Sequence, residues 1–240
     1  MNNLIKHAHL STRYDDPIEA LRRVVRGFMR YANVITLTEV DSEKREKALA
    51  FDGWGFITGD KTGRDDCAIL WDKQDWEKIH ASTFNVTPYM AGNIGASVAV
   101  LDHKETGKRV LFSVIHTPSS VEGNGRVSGG RRDEWYKAVK EWKARCKEIA
   151  KRLNCARLVL VADWNINLKA KWVHSVVKGL FPRWKFVWNL KRLPVGGTHG
   201  PRLIDWTIFT GKLKVVRGPK IHRSTAASDH KGYDEVLEIV

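Results

Sequence analysis

Short runs of aliphatic and β-branched residues, each ending abruptly in a polar or charged side chain, most narrow the folds open to this 240-residue chain. Val-Ile-Thr-Leu-Thr runs into Glu39, Leu-Phe-Ser-Val-Ile into His116, and Leu-Val-Leu-Val-Ala into Asp163, with Asn165 two residues on. Short apolar, β-branched runs of this kind read as strands. The strand candidates are Ala32–Thr38, Cys67–Trp71, Ala96–Leu101, Val110–Ile115, Arg157–Ala162, Leu203–Phe209 and Val236–Val240. Amphipathic stretches separate them, so the class is α/β. A first helix opens with Asp16 as N-cap and Pro17 in its first turn, and carries Ile18, Leu21, Val25 and Phe28 on one face. A second, shorter helix covers Ser42–Phe51. From Arg132 to Leu153, Trp135, Val139, Trp142, Cys146, Ile149 and Leu153 recur at steps of four and three, a stripe that packs on a sheet. Ala170–Lys178 forms another helix, ended by Gly179.

The segments Thr117–Gly130 and Pro194–Pro201 are rich in glycine and read as loops, the first of them mobile. No repeat, low-complexity tract or linker divides residues 1–240, which predicts a single domain. Three cysteines without a CxxC pair predict buried free thiols rather than a zinc site. The N-terminal stretch lacks the apolar run of a signal peptide, and no segment is long enough to span a bilayer, so a soluble, cytoplasmic protein without stable membrane association is expected.

The charge is unevenly spread. The net charge is +14, and between Trp164 and Ser228 thirteen Lys or Arg face a single acid, Asp205. Five of the ten tryptophans fall in the same stretch. Basic side chains neutralise phosphates and aromatic rings can stack on bases, although core packing is the ordinary fate of tryptophan. Crowded like charge destabilises a compact state unless a polyanion relieves it, which points to nucleic acid or, on charge alone, to acidic lipid.

The strand-end residues are the candidates for chemistry. In α/β sheets ligands gather where strands end, so Glu39, His116, Asp163, Asn165, Asp205, Asp229 and His230 can converge. Hard oxygen donors suit Mg²⁺ or Mn²⁺, and a histidine beside them can act as acid or base. Asp205, inside an apolar run, needs a buried partner such as a histidine.

Taken in order, these motifs resemble the endonuclease/exonuclease/phosphatase superfamily. "VITLTEV" resembles the strand ending in a metal-binding Glu, "DDCAILW" the next core strand, and "VIHT" the strand ending in the catalytic His of the deoxyribonuclease branch. "VLVADWN" resembles the Gly-Asp-Phe-Asn signature, "RLIDWTIFTG" the Asp-Tyr-Ile strand, and "SDHKGYDEVLEI" the terminal Ser-Asp-His motif. The resemblance implies a DNase I-like four-layer sandwich, two mixed sheets face to face with helices outside. It implies that Glu39 and Asp229 hold a divalent metal, Mg²⁺ or Mn²⁺. Asp163 and Asn165 would orient water or phosphate, with or without a second metal. It makes His230, oriented by Asp205, one histidine of an acid–base pair and His116 the other. A carboxylate orients His116 in that branch; Asp65 is the candidate, with Asp66 the near alternative, because Asp65 shares a strand face with Cys67 and Ile69. His9, in "LIKHAHLS", stands where the family has a metal-holding Asn; a histidine there can hydrogen-bond the site or ligate a softer metal such as Mn²⁺, which joins it to the metal set and sets Mn²⁺ beside Mg²⁺. Thr38 replaces a frequent Gln before the Glu, and Asp41 stands where a minor-groove arginine is placed.

The expected function is a metal-dependent nuclease of low sequence specificity, on DNA before RNA. The alternatives are a phosphoinositide or sphingomyelin phosphoesterase, and a nucleic-acid-binding relative that no longer catalyses. Arg126, Arg131 and Arg132 flank the loop after His116, and His199 and Arg202 precede the Asp205 strand, as candidates for substrate contact.

Overall fold

A computed structural model describes residues 3–12, 17–40, 48–59, 66–89, 92–119, 121–123, 126–127, 129–222 and 228–240, the side chains of 87–89, 92–93, 123, 126–127 and 129–130 excepted. The strands are β1 (Leu4–Ser11), β2 (Val34–Thr38), β3 (Trp54–Thr58), β4 (Ala68–Asp72), β5 (Trp76–Tyr89), β6 (Gly92–His103) and β7 (Lys108–His116). They continue with β8 (Glu122–Gly123), β9 (Arg126–Val127), β10 (Arg157–Asp163), β11 (Lys185–Phe186), β12 (Asp205–Thr210), β13 (Leu213–Ile221) and β14 (Tyr233–Ile239). The helices named here are α1 (Ile18–Met29), α2 (Gly129–Arg152) and α3 (Lys171–Leu180).

Two six-stranded mixed sheets carry the fold, in the orders β13-β14-β1-β2-β4-β3 and β11-β12-β10-β7-β6-β5. Alternation along each strand decides what meets what. On β1, Ile5 faces the second sheet and packs with Val34, Ile69, Phe112, Val159 and Val161. Ala8 and Leu10, on the opposite face, meet Leu21, Val25 and Phe28 of α1. The outer face of the second sheet is covered by α2 and α3, whose Trp135, Val139, Trp142, Val173 and Val177 lie on Val98, Val100, Leu160 and Ile208. The result is helix, sheet, sheet, helices: the four-layer sandwich.

The tryptophans of the basic stretch belong mainly to this core. Trp164 and Trp206 are fully buried and stacked, with ring centroids 3.9 Å apart and planes 7° from parallel. Such a pair contributes about 0.5–1.5 kcal/mol beyond its buried area. The three cysteines are buried free thiols. Among the described residues no helix is long and apolar enough to cross a membrane.

The seven expected strands all form, with ends shifted by a few residues. The α2 stripe packs as expected, α1 starts at Ile18 after Pro17, and the proposed cap Asp16 lies outside the described residues. Of the Ser42–Phe51 helix, residues 42–47 lie outside the described residues, and Ala48 alone of the remainder is helical. Gly179 does not end α3, which runs on to Leu180. The loop after His116 is not uniformly irregular: it holds the β8–β9 pair and a buried Val121.

Candidate active site

Strand register builds the site. In the second sheet Asp163 is the Cα partner of His116 on the parallel strand β7 and of Asp205 on the antiparallel strand β12. Lateral partners project from the same face, so His116, Asp163 and Asp205 form one row across three strands. The first sheet supplies the rest: Glu39 from the end of β2, Ser11 from the end of β1, Asp66 from the approach to β4, and His230 from the approach to β14.

Two histidine–carboxylate pairs face one another across Asp163. His116 Nδ1 lies 2.7 Å from Asp66 Oδ2, and its Nε2 lies 3.6 Å from Asp163 Oδ2 and 3.9 Å from Glu39 Oε1. His230 Nδ1 lies 2.8 Å from Asp205 Oδ2, and its Nε2 lies 3.9 Å from the same Asp163 oxygen. A carboxylate on Nδ1 keeps the hydrogen there and turns Nε2 towards the site. Burial opposes charge on His116, but Asp66, Asp163 and Glu39 outweigh it and hold its pKa at about 10. His230 is held at about 9 in the same way, chiefly by Asp205. Asp205 stays well below the usual carboxylate range because His230 and His9 outweigh its burial.

The other two acids behave oppositely. Burial lifts Glu39 to about 7 against the pull of His116, with Asp163 adding to the rise. Burial, and then Asp205, raise Asp163. Carboxylates that are crowded and dry in this way call for a cation between them. Ligand atoms of Glu39, His116 and Asp163 lie within 4.8 Å of one another, a cluster that could hold a metal ion, and its oxygen donors suit a hard divalent one.

Backbone conformation marks the same spot. Glu39 and Asn165, each just past a strand, have φ of 63° and 51°. For a non-glycine residue the left-handed region costs about 1–2 kcal/mol and persists where the surroundings enforce it. Thr12 Oγ1 donates to the Glu39 carbonyl at 2.9 Å, and Val40 N donates to the Asp66 carbonyl at 2.7 Å, so the Glu39 turn and the His116 partner are tied together. Asn165 donates its backbone N–H to Asp163 Oδ1 at 3.0 Å and its amide to the Thr117 carbonyl at 2.8 Å.

Several sequence expectations are redirected. His9 is in none of the three groups that could hold a metal. Its Nδ1 meets Thr36 Oγ1 at 2.9 Å and its Nε2 faces Asp205 Oδ1 at 3.4 Å. Ser11, two residues on and on the same face of β1, is the side chain that reaches Asp163, at 3.5 Å. Asp65 lies outside the described residues, and Asp66 holds His116. Asp229 does not group with Glu39: it is half-exposed, 3.4 Å from His199 Nε2, and its cluster is His199, Asp229 and His230.

The rim is structured by residues that sequence reasoning passed over. Lys169 Nζ donates to the carbonyls of Val195, Gly196 and Pro201 at 2.7–2.8 Å, folding the glycine-rich loop onto the site. Thr198 Oγ1, buried in that loop, accepts from the backbone N–H of Asp205 at 3.1 Å, and its carbonyl accepts from Lys231 N at 2.6 Å. Gly197 allows the close approach, since a Cβ there would lie 2.0 Å from the Arg202 carbonyl oxygen. Arg202 pairs with Glu122 at 2.9 Å and donates to the Asn165 carbonyl at 3.1 Å, so it braces the loops. The His199 ring lies against His230, with centroids 4.7 Å apart and planes tilted by 43°. Arg131 donates to the Ser119 carbonyl, and Arg132 lies over the Trp172 ring at 5.5 Å. Arg126 is on β9, and its side chain lies outside the described residues.

No family model matches the chain. No curated protein matches it by sequence either. Solved structures do match. The human Nocturnin catalytic domain with bound sulfate superposes with a TM-score of 0.75 at 14% identity, covering 100% of this chain and 96% of that one. D. rerio TDP2 complexed with single-strand DNA product gives 0.76 at 13% identity, covering 99% and 100%. The Bacteroides thetaiotaomicron mannosyl-6-phosphatase gives 0.70 at 14% identity, covering 98% and 99%. Over its whole length, this chain has the fold of the endonuclease/exonuclease/phosphatase superfamily.

Proposed function

We propose that the protein is a divalent-metal-dependent phosphodiesterase of the endonuclease/exonuclease/phosphatase superfamily that hydrolyses nucleic acid, DNA before RNA. The observation that carries this reading is the pair of carboxylate-held histidines whose Nε2 atoms converge on Asp163 beside Glu39. Phosphodiester hydrolysis needs a proton taken from water and a proton given to the leaving oxygen. Two imidazoles opposed across one small site can meet both needs once a divalent cation beside Glu39 and Asp163 offsets the negative charge that holds the rings protonated. The ring that then loses its Nε2 hydrogen accepts from water there, and the other donates from Nε2. Asp66 and Asp205 keep each ring in the tautomer and orientation that this requires. Glu39 and Asp163 would hold Mg²⁺ or Mn²⁺, with Ser11 and Asn165 at their side. When bound, the metal neutralises charge developing on the phosphate.

Nucleic acid as substrate is supported by the +14 net charge and by the neighbouring TDP2 structure, which contains single-strand DNA. Backbone contacts by Lys and Arg carry little sequence information, so low specificity and strong salt sensitivity are expected. The test is a substrate panel. Supercoiled plasmid, an abasic duplex, single-stranded RNA, a phosphoinositide and a sugar phosphate are each incubated with Mg²⁺, Mn²⁺ or chelator. Chelator-sensitive cleavage of the DNA substrates supports the reading. Turnover confined to the lipid or sugar phosphate moves the substrate within the same chemistry, and binding of DNA without any turnover removes the catalytic reading.

A further inference from the structure

The outer face of the first sheet, under α1, carries a groove that the proposed chemistry does not use. It runs between the C-terminal half of α1 and the end of β13, and encloses about 620 Å³. Arg23, Gly27, Phe28, Arg30, Tyr31 and His222 line it. Helix register makes one of its walls. Leu21, Val25 and Phe28 are buried on the sheet side of α1. Arg22 and Arg26 turn to one flank, where their guanidinium groups lie 4.7 and 5.7 Å from the centre of the Phe51 ring. Arg23, Gly27 and Arg30, at steps of four and three, form the other flank, and both arginines are exposed. No packing demand explains Gly27. A Cβ there would meet nothing within 4 Å, and a glycine inside a helix costs stability relative to alanine. The open space over Gly27 is the floor of the groove.

Three rings close the end where α1 stops. Tyr31 and His222 are stacked, with centroids 5.5 Å apart and planes 17° from parallel. Phe28 meets them edge to face, at 5.9 Å and 5.5 Å. Tyr31 is 39% exposed, so this stack reaches solvent. The acid beside it, Asp234, is buried and is taken by His222 Nε2 at 2.5 Å and by Arg217. The groove therefore offers cations along one edge and aromatic rings at its end. Its aliphatic part is small, because Val24 is half-buried.

That combination fits a nucleotide. Guanidinium groups pair with phosphate, and aromatic rings stack on bases. The volume falls within the range of about 300–1,000 Å³ that such ligands occupy. A lipid surface would need exposed apolar side chains to enter it, and this groove has few. The groove also lies close to the active site along the chain. His222 N donates to the Gly232 carbonyl at 2.8 Å, and Gly232 stands two residues past His230, at most about 7 Å of chain.

We propose that this groove is a subsite for single-stranded nucleic acid, which holds one nucleotide of a strand that also enters the active site. Arg23 and Arg30 take the phosphates flanking that nucleotide, and the Tyr31–His222 stack takes its base. Bases in a duplex are already stacked on one another, so the subsite favours single strand over duplex. The inference rests on the nucleic-acid reading above for the identity of its ligand.

The test is binding in chelator, which does not depend on turnover. Fluorescence anisotropy of a labelled single-stranded oligonucleotide should show Tyr31→Leu weakened by about 5–100-fold, the worth of one stacked base. Tyr31→Phe should stay within twofold of the parent, because the ring and not the hydroxyl stacks. Joint Arg23→Ala and Arg30→Ala should lower the salt slope by about 1.4, or about 0.7 for each phosphate contact on a single strand. Gly27→Leu places a helix-forming side chain in the open floor. It should weaken binding as Tyr31→Leu does, with the melting temperature unchanged or raised. Oligonucleotide binding within twofold of the parent for both Gly27→Leu and the arginine double variant overturns the proposal. So does an equal loss from joint Lys140→Ala and Lys147→Ala, two exposed lysines of α2 on the opposite side of the molecule. Groove variants that lose binding to anionic vesicles but keep the oligonucleotide overturn it in favour of lipid. Should Tyr31→Leu not fold, Gly27→Leu and the arginines decide. A parent that binds the strand through this groove and cleaves nothing keeps the subsite and removes the proposed function. A parent that cleaves DNA, with binding untouched by every groove variant, does the reverse.

Discussion

The two histidine–carboxylate pairs offer the same imidazole nitrogen to the same Asp163 oxygen from very different surroundings. His116 is 18% exposed, stands 3.9 Å from Glu39, and leans on an Asp66 whose Oδ1 has a thiol, Cys67 Sγ, at 3.6 Å. His230 is 7% exposed and leans on an Asp205 held from two directions, by its own backbone N–H on Thr198 and by His230. One pair is open and placed beside the proposed cation. The other is dry and braced through both sheets. The contrast teaches that similar catalytic geometry can rest on unequal support, and that the braced pair should tolerate less.

The largest expected effect lies between the pairs. Asp163→Ala should lower the cleavage rate by about 10³-fold or more, since it removes both a proposed metal ligand and the group on which the two imidazoles converge. Single-turnover rates at saturating Mn²⁺ and Mg²⁺ check it. The next effect separates the pairs. Asp205→Asn and Asp66→Asn both replace the acceptor that fixes a tautomer, and outer partners of this kind are worth about 10–100-fold. Asp205→Asn should fall at the upper end and also lower the melting temperature, because it deprives the more deeply buried histidine, His230, of its charged acceptor. Asp66→Asn should fall at the lower end with little change in melting. Equal effects would erase the contrast.

A third prediction concerns pH in chelator. Folded pKa values of about 10 for His116, about 9 for His230 and about 7 for Glu39 all lie above their unfolded values. The native state therefore keeps more protons than the unfolded chain through this range, so stability is present at low pH and is lost as pH rises. The melting temperature should fall from pH 7 to pH 10, and divalent cation should restore it by replacing the protons. His116→Gln should flatten the upper part of the curve.

The smallest effects belong to the rim. Arg131→Ala and Arg132→Ala should each reduce the salt dependence of DNA binding by about one unit of slope if the side chain meets a phosphate. Arg202→Ala should leave that slope unchanged and lower stability instead, because its guanidinium braces Glu122 and the Asn165 loop. Fluorescence anisotropy at several salt concentrations distinguishes them.

Much of this frame was legible in the residues, and what was not has physical reasons. Strands buried on both faces, such as β2, β7, β10 and β12, read as plain apolar runs ending at Glu39, His116, Asp163 and, at its start, Asp205. Edge and half-polar strands did not: β5 and β13 lie at or near sheet edges, where mixed side chains blur the alternation. The strand β1 carries histidines inward, against the usual pattern. The resemblance places His9 where the family has a metal-holding Asn; residues two apart on a strand share a face, so a two-residue slip leaves the polarity pattern intact while moving the side chain about 7 Å along the strand. Ser11, short and unremarkable in sequence, reaches Asp163 in its place. The tryptophans of the basic stretch went to the core, as their volume dictates. The bracing of the rim was illegible because Lys169 and Thr198 act on backbone groups several to many residues away in sequence.

The central claim is that His116 and His230 act together on one phosphate. The most direct measurement is the single-turnover rate of plasmid nicking for His116→Ala, His230→Ala and the double variant, with divalent metal present. Each single variant should lose about 10²–10⁴-fold, and the double variant little more than the worse single, as groups working as a unit do. Single variants within tenfold of the parent, or losses that multiply in the double variant, would contradict the account.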